Sequence, residues 1–226
     1  MPTLIIGSGY LGSFIKQAIP NSKSTSLVEG EGDFTYDLKD GIQSFFKDFD
    51  SLIITCDITP LQSQIIDFSS SIKKYFKNII LISTASSFKV EKAKQEVDEN
   101  TVREGLRSQL EESFIDSAYI LSLGLLWDNE KRRPERWFPR IKNGSKLINL
   151  CNSQLVAQIC NELIKIKPQA NGHYIVCDGK AMTWQELSPN RLPKCQVGIE
   201  SKALKNKKIV NLLHNKIKFS DFLYHK

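Results

Sequence analysis

Residues 3–19 constrain the fold more than any other stretch of the chain. Thr3-Leu4-Ile5-Ile6 is a short apolar run of β-type, and it stops at Gly7-Ser8-Gly9-Tyr10-Leu11-Gly12. Phe14, Ile15, Ala18 and Ile19 then recur at helical spacing up to Pro20. A lone G-x-G-x-x-G is a weak signal, but here a strand precedes it and an amphipathic helix follows it. In that setting each glycine has a task. Gly7 allows the sharp turn out of the strand, Gly9 lets a pyrophosphate approach the backbone, and Gly12 lets the helix pack closely on the sheet. The helix start offers free N–H groups and a partial positive charge to phosphates. The flanking elements favour this reading over a turn that binds nothing.

Strand and helix patterns keep alternating beyond this point. Ser24–Val28, Phe34–Leu38, Ser51–Cys56, Asn78–Ser83 and Ala118–Leu123 read as strands. Leu61, Ile65, Ile66, Phe68 and Ile72 mark a helix after Pro60. Thr101–Phe114 reads as another, with Leu106, Leu110 and Phe114 on one face, and the charged stretch Lys89–Asn100 reads as a solvated loop or helix start. Such alternation predicts an α/β fold, a Rossmann-type doubly wound parallel sheet over residues 1–125. Residues 126–226 are less regular and predict a small α+β region on the substrate side. Within it Lys146–Cys151 and His173–Cys177 read as strands, Gln154–Ile166 as a helix, Thr183 onward as a helix start, and Lys202–Leu213 as a last helix.

Composition excludes several alternatives. With 226 residues, 41% hydrophobic and 25% charged, the chain has enough apolar content for a sizeable core. No fixed glycine or heptad period occurs. The longest strongly apolar stretch, Ala118–Trp127, falls short of the roughly 20 residues a membrane span needs. Nothing at the N-terminus reads as a signal peptide. Cys56, Cys151, Cys160, Cys177 and Cys195 form no C-x-x-C, and with only His173, His214 and His225 in the chain no metal site is expected. Reduced cysteines and a cytoplasmic location follow as expectations.

The net charge of +6 is unevenly spread. The last 36 residues hold nine of the 31 Lys/Arg and two of the 25 Asp/Glu, which leaves 22 basic and 23 acidic residues in the first 190. The excess therefore belongs to the tail, and the basic balance is not a whole-molecule nucleic-acid signature.

Other cofactor contacts can be placed on the strand ends. Glu29, 17 residues after Gly12 at the expected end of the second strand, suits an adenosine ribose diol and so NAD. Lys23 with Ser24–Ser26 suits a 2′-phosphate instead, so NAD and NADP both stay open. Asp37 and Leu38, ending the third strand, are candidates for the adenine. Thr55 and Asp57 follow the fourth strand, near the expected middle of the cofactor.

An ordered series of segments resembles the extended short-chain dehydrogenases/reductases of the NAD-dependent epimerase/dehydratase group, and most of all their atypical, shortened members. The series runs from Gly7–Gly12 through Asp37-Leu38, Leu81-Ile82-Ser83-Thr84-Ala85-Ser86-Ser87-Phe88, Arg107–Glu111 and Ile120–Trp127. It continues at Asn149–Val156, Cys177-Asp178-Gly179, Met182–Glu186 and Lys205–Lys208. The resemblance implies NAD or NADP as cofactor, with Ser83 and Arg107 on the cofactor side. It also implies a Tyr-x-x-x-Lys pair and a Ser/Thr for the proton chemistry.

Those positions depart from the pattern. The tyrosine and lysine fall on Arg103 and Arg107, and no Tyr-x-x-x-Lys occurs in the chain. A guanidinium cannot serve as the base. The Ser/Thr falls on Ala85 or, one residue on, Ser86, and a family histidine falls on Cys151. Catalytic residues therefore remain unassigned. Ser86, Cys151, Trp127 and Arg133 are the candidates for the substrate side. Arg133 belongs to a basic run over residues 131–146 that is interleaved with Trp137 and Phe138 and suits a small anionic substrate as well as it suits a solvated loop. Two functions stay open: an oxidoreductase- or epimerase-like enzyme with unusual catalytic groups, and a catalytically silent dinucleotide sensor or scaffold. A homo-oligomer is compatible with either.

Overall fold

The computed structural model describes residues 1–166, 170–188, 192 and 201–224. Cys195, His225 and part of the basic tail lie outside the described residues. In chain order the elements are β1 (Thr3–Ile6), α1 (Tyr10–Ala18), β2 (Ser22–Ser26), β3 (Phe34–Thr35), β4 (Ser51–Ile54), α2 (Ile65–Tyr75) and β5 (Asn78–Thr84). Next come β6 (Gln95–Val97), α3 (Leu106–Glu111), β7 (Tyr119–Leu123), β8 (Leu125–Trp127), β9 (Leu147–Ile148), β10 (Leu150–Asn152) and α4 (Ser153–Leu163). The chain ends with β11 (Gly172–Val176), β12 (Met182–Thr183), α5 (Trp184–Leu187), β13 (Lys202–Leu204) and α6 (Lys207–Leu213).

The main sheet has seven strands in the order β11-β7-β5-β4-β1-β2-β3. Ile6 pairs with Thr25 on one side and with Ile54 on the other, both in parallel register. The strand order reverses between β1 and β4, which is where doubly wound sheets open a crevice at the carboxyl ends of their strands. The expected Rossmann-type sheet is therefore present. The strand His173–Cys177, expected in the C-terminal region, joins it as the edge strand β11.

The chain packs as two compact units, neither contiguous in sequence. The first comprises Met1–Ser83, Glu104–Leu121 and Val156–His173, and the second Thr84–Arg103, Ser122–Leu155 and Tyr174–Lys226. In the first unit Leu4, Ile6, Leu52, Ile54, Ile79 and Leu81 project from neighbouring strands into one cluster with Ile65, Phe68 and Ile72 of α2. Each such side chain, removed from water, contributes about 1.5–3 kcal/mol. Phe46, wholly buried, meets Tyr36 edge-on and Phe76 at a tilt in the same cluster. Among the described residues the second unit holds one cluster around Phe88, Val97 and Leu204 and another around Trp127, Trp184 and Leu150.

Several element boundaries differ from the sequence expectation. β2 stops at Ser26 rather than Val28, because Leu27 and Val28 turn outward and are exposed. The third strand shrinks to two residues, and Leu38 opens a 3-10 turn capped by Asp37. Ile66 is exposed while Ile65 carries the packing of α2. The charged stretch Lys89–Asn100 contains β6, whose Val97 is fully buried. Lys202–Leu204 is a strand, paired in parallel with β6, and the last helix starts only at Lys207. Leu106 at the start of α3 is exposed, so of the three expected apolar positions only Leu110 and Phe114 are buried.

Candidate functional site

In the first unit the chain turns sharply at the end of β1. Gly7 has φ +105°, and a Cβ there would lie 2.5 Å from Thr55 Oγ1. Thr55 donates its hydroxyl to the carbonyls of Ile6 and Gly7, at 3.0 and 3.1 Å, and the Gly7 N–H donates to Thr25 Oγ1. Gly12 is equally constrained, since its Cβ would fall 2.0 Å from the Gly7 carbonyl oxygen. Gly9 is different: a Cβ there meets nothing within 4 Å, and its φ of −60° is open to any residue. The protein's own packing thus explains two of the three glycines and leaves the third as open space. Gly9 is the N-cap of α1 and makes no side-chain cap bond. Ser8 and Tyr10 are half-buried, Tyr10 resting edge-on against Phe14, and Leu11 is buried.

Beside this turn lies a cavity of about 320 Å³. It is lined by Gly7, Thr25, Ser26, Leu27, Tyr36, Asp37, Leu38, Lys39, Cys56 and Asp57, with Ile6 and Pro60. Asp37 reaches it while accepting the Lys39 N–H as the cap of its own turn. Tyr36 is held by a bond from its hydroxyl to the Gly41 carbonyl, and burial pushes its phenol upward. Burial likewise raises the Cys56 thiol to about 11. Burial alone would raise Asp57 as well, but bonds from the Thr59 hydroxyl and amide and the Arg107 charge outweigh it and hold its carboxyl below the usual range.

The expected cofactor residues therefore part company. Gly7, Asp37 and Leu38 border the cavity, whereas Thr55 is spent on tying the turn. Glu29 lies three residues beyond the end of β2, exposed and outside the lining. Lys23 bonds Asp33, which also receives Lys16 and the Ser24 N–H. Ser83 is buried at the end of β5 with its hydroxyl unpartnered. Arg107 bonds Glu111 at 2.9 Å, Asp57 at 3.2 Å and the Ile82 carbonyl at 2.7 Å. Of the other lining residues, Thr25 and Ser26 fall in the Ser24–Ser26 run, whereas Leu27, Lys39 and Cys56 are not singled out by the sequence as cofactor contacts.

The second unit has a cavity of about 270 Å³. Thr84, Ala85, Ser86, Leu123–Leu125, Leu147–Asn149, Lys202 and Leu204 line it. Ser86 is exposed there and within hydrogen-bond distance of Thr84 Oγ1. Arg103, at the family tyrosine's position, donates to Ser87 Oγ and lies over the Phe88 ring. Cys151 is fully buried in β10, and burial pushes its thiol well above the ordinary value. Trp127 is buried too, donating its indole N–H to Asp178 at 3.1 Å. Arg133 is exposed at the start of a 3-10 turn over Pro134–Arg140. The aromatics of that basic run, Trp137 and Phe138, pack edge-on against Trp184 instead of standing free for bases. Among the described residues no cluster suits a metal ion, and no helix is long and apolar enough to cross a membrane.

No protein-family model and no curated protein sequence matches the chain. Solved structures do match its fold. A UDP-N-acetylglucosamine 4-epimerase from Bacillus cereus aligns with TM-score 0.68 at 15% identity, over 98% of this chain and 96% of that one. A human epimerase family protein with NADPH gives 0.67 at 10% identity, over 98% and 97%. A dTDP-glucose 4,6-dehydratase from Bacillus anthracis in complex with NAD gives 0.68 at 11% identity, over 98% and 94%. At such identities the likeness is one of fold.

Proposed function

We propose that this chain binds NAD or NADP in the cavity beside Gly7. In this reading it is an epimerase/dehydratase-type protein, oxidoreductase- or epimerase-like, acting on a sugar or another small anionic metabolite. The observation that carries the reading is Gly9, a glycine at a helix start with no side-chain cap bond, whose missing side chain leaves open space beside the cavity. The NADPH and NAD held by structures of the same fold support it.

The loop Gly7–Gly12 and the start of α1 would hold the pyrophosphate. Thr25, Ser26, Leu27 and Lys39 would border the ribose, and Asp37 and Leu38 the adenine. When bound, the nicotinamide supplies hydride exchange with a carbon that carries oxygen. Glu29 lies outside this lining, so Glu29→Gln is expected to change NAD affinity by less than about twofold, a small fraction of the 1.4 kcal/mol that a factor of ten represents.

Three observations favour the second reading, a catalytically silent dinucleotide-binding sensor or scaffold. Arg103 cannot act as a base, Arg107 is committed to Glu111 and Asp57, and Cys151 is sealed from solvent. Titration calorimetry with NAD+, NADH, NADP+ and NADPH tests what both readings share; no binding of any at millimolar concentration sinks both. With binding in hand, nicotinamide absorbance in the presence of nucleotide sugars separates enzyme from sensor.

A further inference from the structure

Lys202 is absent from the resemblance and from the first unit's cavity, yet among the described residues it is the one ionisable group in the lining of the second unit's cavity. Its strand β13 is fixed by Asn149, whose Nδ2 donates to the Lys202 carbonyl at 2.9 Å and whose Oδ1 accepts the Leu204 N–H at 2.8 Å. Asn149 thereby fixes the backbone from Lys202 to Leu204. The Lys202 ammonium donates to the Phe88 carbonyl at 2.9 Å, at the end of the turn that carries Ser86. A backbone carbonyl satisfies one of its three protons and none of its charge.

The surroundings increase that imbalance. No carboxylate lines the cavity among the described residues. Burial and the neighbouring Lys146 charge both pull Lys202 below the ordinary lysine value. A half-buried cation without a counter-ion is costly unless an anion completes it. The remaining wall is largely aliphatic, with Ala85, Leu123, Leu125, Ile148 and Leu204. A single ammonium among aliphatic neighbours matches a monoanion with an apolar body. A phosphate dianion would bring a second charge that no other cation in the described lining meets, since Lys146 lies outside it.

We propose that this cavity is a binding site for a short aliphatic carboxylate, with the Lys202 ammonium as its counter-ion and the Ser86 hydroxyl as a second donor. A charge-assisted N–H···O bond of this kind is about twice as strong as a neutral one, so loss of the ligand's charge is felt directly. The proposal rests on the second unit alone and holds whether or not a dinucleotide binds the first.

The test is calorimetric or saturation-transfer NMR titration of the full chain, free of dinucleotide, with 3-methylbutanoate and with 3-methylbutanamide, its neutral near-isostere. Saturable binding of the carboxylate, at least about tenfold tighter than the amide, is expected. Lys202→Gln is expected to erase that preference, and Lys202→Arg to keep it. Equal binding of acid and amide, no binding of either, or an unchanged preference in Lys202→Gln would overturn the proposal. Because the acid–amide comparison uses the unaltered protein, it decides even if a variant folds poorly. Dinucleotide titration is a separate experiment, so failure of this site and failure of the cofactor reading cannot be confused.

Discussion

Gly7, Gly9 and Gly12 share a motif but not a reason. Gly12 is required by the 2.0 Å approach of its missing Cβ to the Gly7 carbonyl oxygen. Gly12→Ala is therefore expected to lower stability by about 1–3 kcal/mol, as overpacking of a tight contact does, measured by urea unfolding. The close packing at Gly12 and the turn at Gly7 were legible in the sequence because strand, glycines and helix are adjacent there. Glu29 was misplaced because the end of β2 is set by where Leu27 turns outward, and nothing local marks that point. Asp178 shows a second residue-scale effect. Burial raises its carboxyl to about 6, against the opposing bonds from Trp127 and from the backbone of Asn152 and Tyr224. The folded state therefore holds this proton to a higher pH than the unfolded chain does. Its contribution to stability is full below the unfolded value and is lost as pH rises from about 4 to about 6, at up to about 1.4 kcal/mol per pH unit. Urea unfolding across that window is expected to show a downward slope with pH that Asp178→Asn lacks.

At the scale of elements, α3 is tied to its unit by charge more than by area. It has six residues, Leu106 is exposed, and the helix start at Gly105 has no side-chain cap. Arg107 supplies the tie, joining the wholly buried Glu111 to Asp57 and to the Ile82 carbonyl of β5. Removing Arg107 deprives the buried Glu111 carboxylate of a cationic partner. Arg107→Met is expected to cost about 3 kcal/mol, and Arg107→Met with Glu111→Leu to regain most of it, both read from denaturant midpoints. The long apolar strands β1, β4, β5 and β7 were readable because strands buried on both faces are near-continuous Val/Ile/Leu runs. β6 and β13 were not. They are three residues each, lie about a hundred residues apart, and owe their structure to each other. Neither carries a local period, so one reads as a charged loop and the other as the start of a helix.

Across the whole molecule, the alternation of strands and helices told the fold class, and the topology told where its crevice opens. What stayed hidden is that the chain returns. β11 completes the main sheet after residue 171, and both compact units draw on three separate segments. Interleaving of this kind leaves no composition boundary to read. Residues that line the first unit's cavity, from Ile6 to Pro60, are close in sequence, and Gly7, Asp37, Leu38 and Asp57 among them stand out in the sequence. Those of the second cavity, from Thr84 to Leu204, span 120 positions, and Lys202 among them does not. If the first unit binds a dinucleotide, ligand at a hundredfold excess over its Kd should raise unfolding free energy by about 2.7 kcal/mol. The most direct test of that claim compares calorimetric titrations of the unaltered chain and Gly9→Asp with the four nicotinamide dinucleotides. A Cβ at Gly9 meets no protein atom within 4 Å, and Asp is a favoured residue at a helix N-cap, so the variant's melting temperature should be no lower than the parent's. The expected result is binding of at least one dinucleotide by the parent and a loss of about tenfold or more in the variant. No binding by the parent, or equal affinity in both proteins, would contradict it.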